Sequence, residues 1–180
     1  MTNSEESTDL TLISKVNNNL NESLLNDDED TQKDKYLSFK IGNEEYAIEI
    51  KYVIEIIGIQ KITSVPNIKK FIKGIINLRG NIIPVIDVRM RFKMDTIDYD
   101  DRTCIVVIDA DNVSIGLIVD EVLEVLNIDE SRISPPPQTN KGAQSRYIQG
   151  IGKVGKNVKI ILNTFKLLYD DEKTKEVIDS

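Results

Sequence analysis

The chain opens with mostly polar residues and changes, from Tyr36, to short apolar runs broken by turn residues. Tyr36-Leu37-Ser38-Phe39-Lys40-Ile41 and Tyr46-Ala47-Ile48-Glu49-Ile50 flank Gly42-Asn43, a pair that tolerates positive φ, so the pattern predicts a hairpin. Val53-Ile54-Glu55-Ile56-Ile57 and Ile62-Thr63-Ser64-Val65-Pro66 read as further strand-like runs. Asn67 is placed to cap a short helix reaching Lys70 or Phe71. The stretch from Ile72 to Asp87 organises the rest: two apolar runs flank Asn77-Leu78-Arg79-Gly80-Asn81, which predicts a hairpin with a cation at its tip and Gly80-Asn81 as the turn pair. Pro84 has no N–H to give a neighbour, which predicts an edge strand or a bulge. Asp87 is placed to cap one helical turn over Val88 to Phe92.

The second half repeats this plan. Ile115 to Leu126 follows the pattern of Tyr46 to Ile57 at an offset of 69, and Ile148 to Asn163 follows Ile72 to Asp87 at an offset of 76. The Pro135-Pro136-Pro137-Gln138 region takes up the difference. Two copies of a five-strand unit, about 36–95 and 103–168, predict two small barrels in one body, each too small to be stable alone. Gly74 and Gly150 recur and read as strand bends or close-packing points. Arg79 does not recur, its counterpart being Gly155. Glu55 lies in an apolar run where a buried carboxylate needs a partner, and Arg79 is the natural one. Such a pair is either plain structural support or a device that shapes the Arg79 loop for a protein partner; simple solvent exposure of Glu55 is the third reading.

Composition narrows the function. At 180 residues and 40% hydrophobic content the chain can bury a core. Its net charge is −7, but residues 1–35 hold nine acids against three bases, so the body is nearly neutral and offers no broad basic field for nucleic acid. The acidic segment 1–35 is expected to be mostly disordered. Leu10, Leu12, Ile13, Val16, Leu20, Leu24 and Leu25 fall near helical spacing, however, and allow a marginal helix that docks on a partner. Asn163 to Tyr169 reads as a short capped helix, and the charged residues 170–180 as a frayed tail. No apolar run approaches the roughly 18 residues of a membrane helix, and the first residues lack the basic and apolar regions of a signal peptide, so a cytoplasmic location is expected. Cys104, the one cysteine, reads as a buried apolar residue. With no histidine and one cysteine, no metal or cofactor site is expected. Gly150 to Lys156 lacks the spacing of a phosphate-binding loop. A small barrel enzyme or ligand-binding module, and a nucleic-acid-binding barrel, are the competing readings. The missing histidine weighs against the first, and the neutral body, absent Trp and 6% aromatic content against the second.

Tyr46-Ala47-Ile48, Val53-Ile54-Glu55-Ile56, Val65-Pro66, Gly74-Ile75-Ile76-Asn77-Leu78-Arg79-Gly80 and Pro84-Val85-Ile86-Asp87, in that order, resemble the CheW family of chemotaxis coupling proteins. Asp120-Glu121-Val122, Pro135-Pro136 and Tyr147-Ile148-Gln149-Gly150 extend the likeness over residues 36–169. The resemblance implies an all-β fold of two five-stranded SH3-like β-barrels that exchange strands, with an apolar seam between them and no catalytic activity. It also implies a scaffold that links transmembrane chemoreceptors to the histidine kinase CheA. One surface would bind the receptor's cytoplasmic signalling tip, another the kinase's similarly folded regulatory domain. The protein would be cytoplasmic, monomeric in isolation, and recruited to membrane receptor arrays only through its partners. Carried onto this sequence, the receptor surface comprises Val53, Glu55, Ile56, Arg79 and Gly80, and the kinase contact Ile50 and Gly74, while Asn77, Leu78, Pro84 and Asp87 maintain the motif. Two features depart from the family pattern: Asn163 stands where many members have Asp, and the acidic extension 1–35 has no assigned role.

Overall fold

The apolar runs form strands, of which Lys35–Ile41 and Cys104–Ala110 are almost continuously buried while others, such as Val53–Gly58 and Ile72–Leu78, are buried at only some of their positions. The computed structural model describes residues 5–25, 32–138 and 142–170. A helix α1 (Glu5–Leu25) precedes strands β1 (Lys35–Ile41), β2 (Glu44–Glu49), β3 (Val53–Gly58), β4 (Ile72–Leu78) and β5 (Asn81–Asp87), which lead into the one-turn helix α2 (Val88–Arg91). The second half supplies β6 (Cys104–Ala110), β7 (Val113–Val119), β8 (Glu121–Asn127), the short β9 (Ile133–Ser134), β10 (Ile148–Val154), β11 (Asn157–Leu162) and helix α3 (Thr164–Tyr169). The chain is therefore mostly β, and its described strands form two sheets.

The two halves exchange their first hairpins. One sheet has the order β8-β1-β2-β11-β10-β9 and the other β3-β6-β7-β5-β4. Each exchange is sealed by an antiparallel pair, β1 with β8 and β3 with β6, and by a parallel pair, β2 with β11 and β5 with β7. The period-2 alternation of a strand then divides each apolar run between two cores. In β6, Ile105 and Val107 enter a cluster with Ile76, Ile83, Val85 and Ile118 inside the five-stranded sheet. Cys104, Val106 and Ile108 enter the larger cluster shared by both sheets. The six-stranded sheet curls in the same way round Tyr36, Ala47, Ile128 and Ile161.

Polar side chains fix the junctions. Asp87 caps α2 by accepting from Arg89 N and Met90 N, and Asn163, 76 residues later, caps α3 by accepting from Lys166 N. The Tyr99 hydroxyl donates to Asp87 Oδ2 at 2.7 Å. Burial, then that bond to a carboxylate, pushes the Tyr99 pKa up. Arg89 grips Asp120 at 2.6 Å, and Asp120 also accepts from Gly42 N, so α2 is tied to the β1–β2 turn of the other sheet. Arg91 is buried: its Nε donates to Leu167 O and a terminal nitrogen to Asp170 O, both at 2.7 Å, while its guanidinium stacks 3.9 Å from the Phe71 ring centre. Arg91→Met would leave the last carbonyls of α3 unanswered and is expected to lower the unfolding free energy by about 3 kcal/mol. A urea titration checks this: the midpoint should fall at unchanged slope, whereas a shift below about 0.5 kcal/mol would mean that water replaces the guanidinium freely.

Five expectations are corrected. Residues 5–25 are helical, not an unstructured tail, because Val16 and Leu20 are buried in the large cluster and Asn17 bonds to the backbone of β3. The acidic run Asp27-Asp28-Glu29-Asp30 and the tail after Asp170 lie outside the described residues. Ile62 to Pro66 contributes only an isolated bridge, Thr63 to Ile75. Asn67 caps no helix; it sits at φ 59°, the left-handed conformation that its short amide side chain tolerates in a turn. The β4–β5 turn is centred on Arg79-Gly80, with Leu78 opposite Asn81. Pro84 lies on an interior strand and not an edge, one residue before the parallel pairing with β7 begins at Val85; of the two alternatives only the bulge is found nearby, as the register shift between Ile72 and Gly74.

Candidate protein-interaction site

β3 and β4 are the opposite edges of the five-stranded sheet, yet the tip of the β4–β5 hairpin reaches β3. The turn is a two-residue loop with Arg79 at φ 50° and Gly80 at φ 86°, the primed geometry that matches strand twist. Asn77 holds it by accepting from Gly80 N at 2.9 Å through Oδ1, and its backbone oxygen accepts from Gln60 Nε2 at 3.4 Å. From that turn the Arg79 guanidinium meets both oxygens of Glu55, each at 2.7 Å, so the two edges of the sheet are clasped by one planar fork. The carboxylate raises the Arg79 pKa, through the hydrogen bond first and its charge second.

The clasp is open to solvent on its arginine side. The Arg79 side chain is 72% exposed and that of Glu55 20%. Gly155, at the matching turn position of β10–β11, also has positive φ, 60°. The fold thus requires a left-handed residue at this place, and glycine meets the requirement without strain. An arginine there is explained by what its side chain does.

The other anticipated residues divide between surface and core. Gly80 is exposed at the tip, Leu78 packs partly against the five-stranded sheet's own cluster, and Asp87 is the buried cap of α2. Val53 and Ile56 are only 2% and 1% exposed, and they share a cluster with Val16 and Leu20 of α1, which packs on β3. Ile50 is fully buried. Gly74 is buried too, and its backbone runs so close to Thr63 that a Cβ would lie 2.2 Å from the Thr63 carbonyl oxygen. Neither residue of the anticipated kinase contact presents a side chain to solvent. The structure instead exposes Ile54, at 39%, and Ile82, at 62%, beside the two members of the clasp. Ile54 falls at a register shift between Val53 and Glu55, which strand alternation cannot reveal. Next to Ile50, Tyr52 meets Phe165 edge-on at 5.6 Å and Phe165 lies 6.1 Å from Tyr169, an aromatic strip on the surface.

Residues 35–172 match the family model of the CheW-like domain. The chain belongs to the CheW family. It is 36% identical over 143 residues to the chemotaxis protein CheW of Klebsiella aerogenes, covering 79% of this chain and 86% of that one. To the CheW of Bacillus subtilis it is 35% identical over 130 residues, 72% and 81% of the two chains. The crystal structure of the scaffolding protein TtCheW from Thermoanaerobacter tengcongensis superposes with a TM-score of 0.70 at 36% identity, over 76% of this chain and 92% of that one. Kinship is thus with chemotaxis proteins and with a scaffold. Helix α1 lies before the segment matched to the CheW-like domain. Among the described residues no helix is long and apolar enough to cross a membrane, and no group of three or more acidic, cysteine or histidine side chains could hold a metal.

Proposed function

We propose that this CheW-family chain is a non-catalytic adaptor that couples transmembrane chemoreceptors to the histidine kinase CheA, working in the cytoplasm at receptor arrays and reaching the membrane only through its partners. The observation that carries this reading is the exposed Glu55–Arg79 clasp, with its arginine in a left-handed turn where the duplicate hairpin has glycine. Glu55, Arg79 and Gly80 form the receptor surface, widened by the exposed Ile54 and Ile82. Val53 and Ile56 line the apolar side of β3 next to it, in one cluster with Val16 and Leu20 of α1. An arginine with flanking aliphatics is the composition that anchors protein interfaces, because the fork gives direction and the aliphatics give area. The kinase's regulatory domain binds elsewhere, and Ile50 and Gly74 act on that contact by shaping the backbone above them.

Such a scaffold changes kinase output by fixing the kinase relative to the receptor tip, so a change in receptor conformation biases one of the kinase's states. Calorimetric titration of the full chain against the kinase regulatory domain, and then against a receptor tip fragment, tests this. Saturable one-to-one binding to each is expected. Absence of binding to both, well above micromolar concentrations, would overturn it.

A further inference from the structure

Helix α1 lies across two free strand edges, β3 of one sheet and β8 of the other. An edge residue whose N–H and C=O point away from the sheet has no strand to bond to. Ile56 is such a residue on β3, and the side-chain amide of Asn17 answers both groups: Oδ1 accepts from Ile56 N at 3.0 Å and Nδ2 donates to Ile56 O at 2.9 Å. These are the two bonds a neighbouring strand would make. On either side of Asn17, Val16 and Leu20 are buried in the apolar cluster that also contains Val53 and Ile56. The groove is therefore read by a helical face with an aliphatic residue, a carboxamide directly after it, and a second aliphatic residue three positions further on. Glu55, the next residue on β3, carries the Arg79 clasp.

Two observations make α1 a replaceable occupant. It precedes the segment matched to the CheW-like domain, so the two-sheet body is defined without it. Its middle is Asn17-Asn18-Asn19, residues that favour helix weakly, so docking and not propensity holds it in shape. Being covalently attached, it competes at high effective concentration with anything else that fits the groove.

We propose that α1 is a tethered occupant of a helix-docking groove between β3 and β8, and that a receptor-tip helix with the same aliphatic–carboxamide–aliphatic face displaces it. This rests on reading the Glu55–Arg79 surface as the receptor contact. While α1 is docked, the groove is withheld and the apparent receptor affinity is reduced by the fraction of molecules in which it is free. The kinase contact is left untouched.

Amide hydrogen exchange on the full chain, with and without a receptor tip fragment, tests the displacement, combined with titrations of Asn17→Asp and Val16→Asp. The aspartate at 17 still accepts from Ile56 N but repels Ile56 O, and the one at 16 places a charge in an apolar contact. Adding the tip should slow exchange in residues 53–58 and speed it at least about tenfold in residues 12–25. Both variants should bind the tip about tenfold more tightly and the kinase domain as before. Slower exchange in α1 on tip binding, or variants that bind the tip no better than the parent, would overturn the displacement while leaving the receptor reading standing. Absence of tip binding by parent and variants alike would overturn the receptor reading and this inference with it.

Discussion

Replacing Gly74 by alanine is expected to cost about 4 kcal/mol of stability, the range reached only when a substitution meets immovable atoms. The new Cβ would sit 2.2 Å from the Thr63 carbonyl oxygen and 2.9 Å from both the Thr63 carbonyl carbon and Ile62 Cγ2. That carbonyl cannot retreat alone. It accepts from Ile75 N at 2.9 Å while Thr63 N donates to Ile75 O at 2.9 Å, so moving it breaks the bridge that fastens the β3–β4 connection to the sheet. Gly150 occupies the equivalent place in the other half, but there a Cβ meets Ile133 Cγ2 at 2.8 Å and the Ser134 oxygen at 3.1 Å. A side-chain methyl can rotate, so Gly150→Ala should cost only about 1–2 kcal/mol. Urea unfolding of the two variants checks the order, and a Gly74→Ala protein as stable as Gly150→Ala would show that the Thr63 bridge is loose. The comparison also bears on the kinase surface. Any Gly74 substitution that weakens kinase binding should act through this bridge, so lost binding and lost stability should appear together.

Legibility in the sequence followed locality. The duplication could be read from offsets of 69 and 76, because equal local environments select similar residues at equal spacing, and the caps Asp87 and Asn163 follow it. Alternation shows that Ile105 and Ile108 face opposite ways, but not which sheet lies on either side, so the exchange of hairpins had to be implied by resemblance and not by periodicity. The same limit explains Val53 and Ile56. Alternation along β3 does not show that α1 packs over Val53 and Ile56, and the register shift at Ile54 moves the boundary by one residue. Helix α1 was legible only as loose apolar spacing, since what holds it is an asparagine bonded to an edge strand 39 residues away. By contrast the clasp could be found, because a carboxylate inside an apolar run demands a partner and Arg79 had no counterpart in the repeat to explain it away.

Arg79→Gly is expected to separate folding from function. The position has φ 50°, glycine adopts it freely, and the duplicate hairpin already carries Gly155 there, so the thermal midpoint should stay unchanged or rise slightly. The Arg79 guanidinium is 72% exposed, so the ion pair adds little, and release of the left-handed strain at φ 50° offsets what the Glu55 carboxylate, 20% exposed, loses with its partner. Binding should behave differently. With the fork gone, Glu55 is left without its cation between Ile54 and the hairpin tip, and receptor-tip affinity should fall about tenfold or more. Glu55→Ala should lose a similar factor by freeing the arginine to leave the surface. Charge reversal at either position alone should be as damaging, while the double exchange Glu55→Arg with Arg79→Glu should recover part of the loss. If it recovers nothing, the direct pair is not the element the receptor reads. A fall in midpoint for Arg79→Gly parallel to the fall in affinity would instead make the clasp a staple across the two edges of the sheet. A stable Arg79→Gly protein that no longer binds would assign the strained arginine to recognition, since the fold alone is satisfied by glycine at this turn.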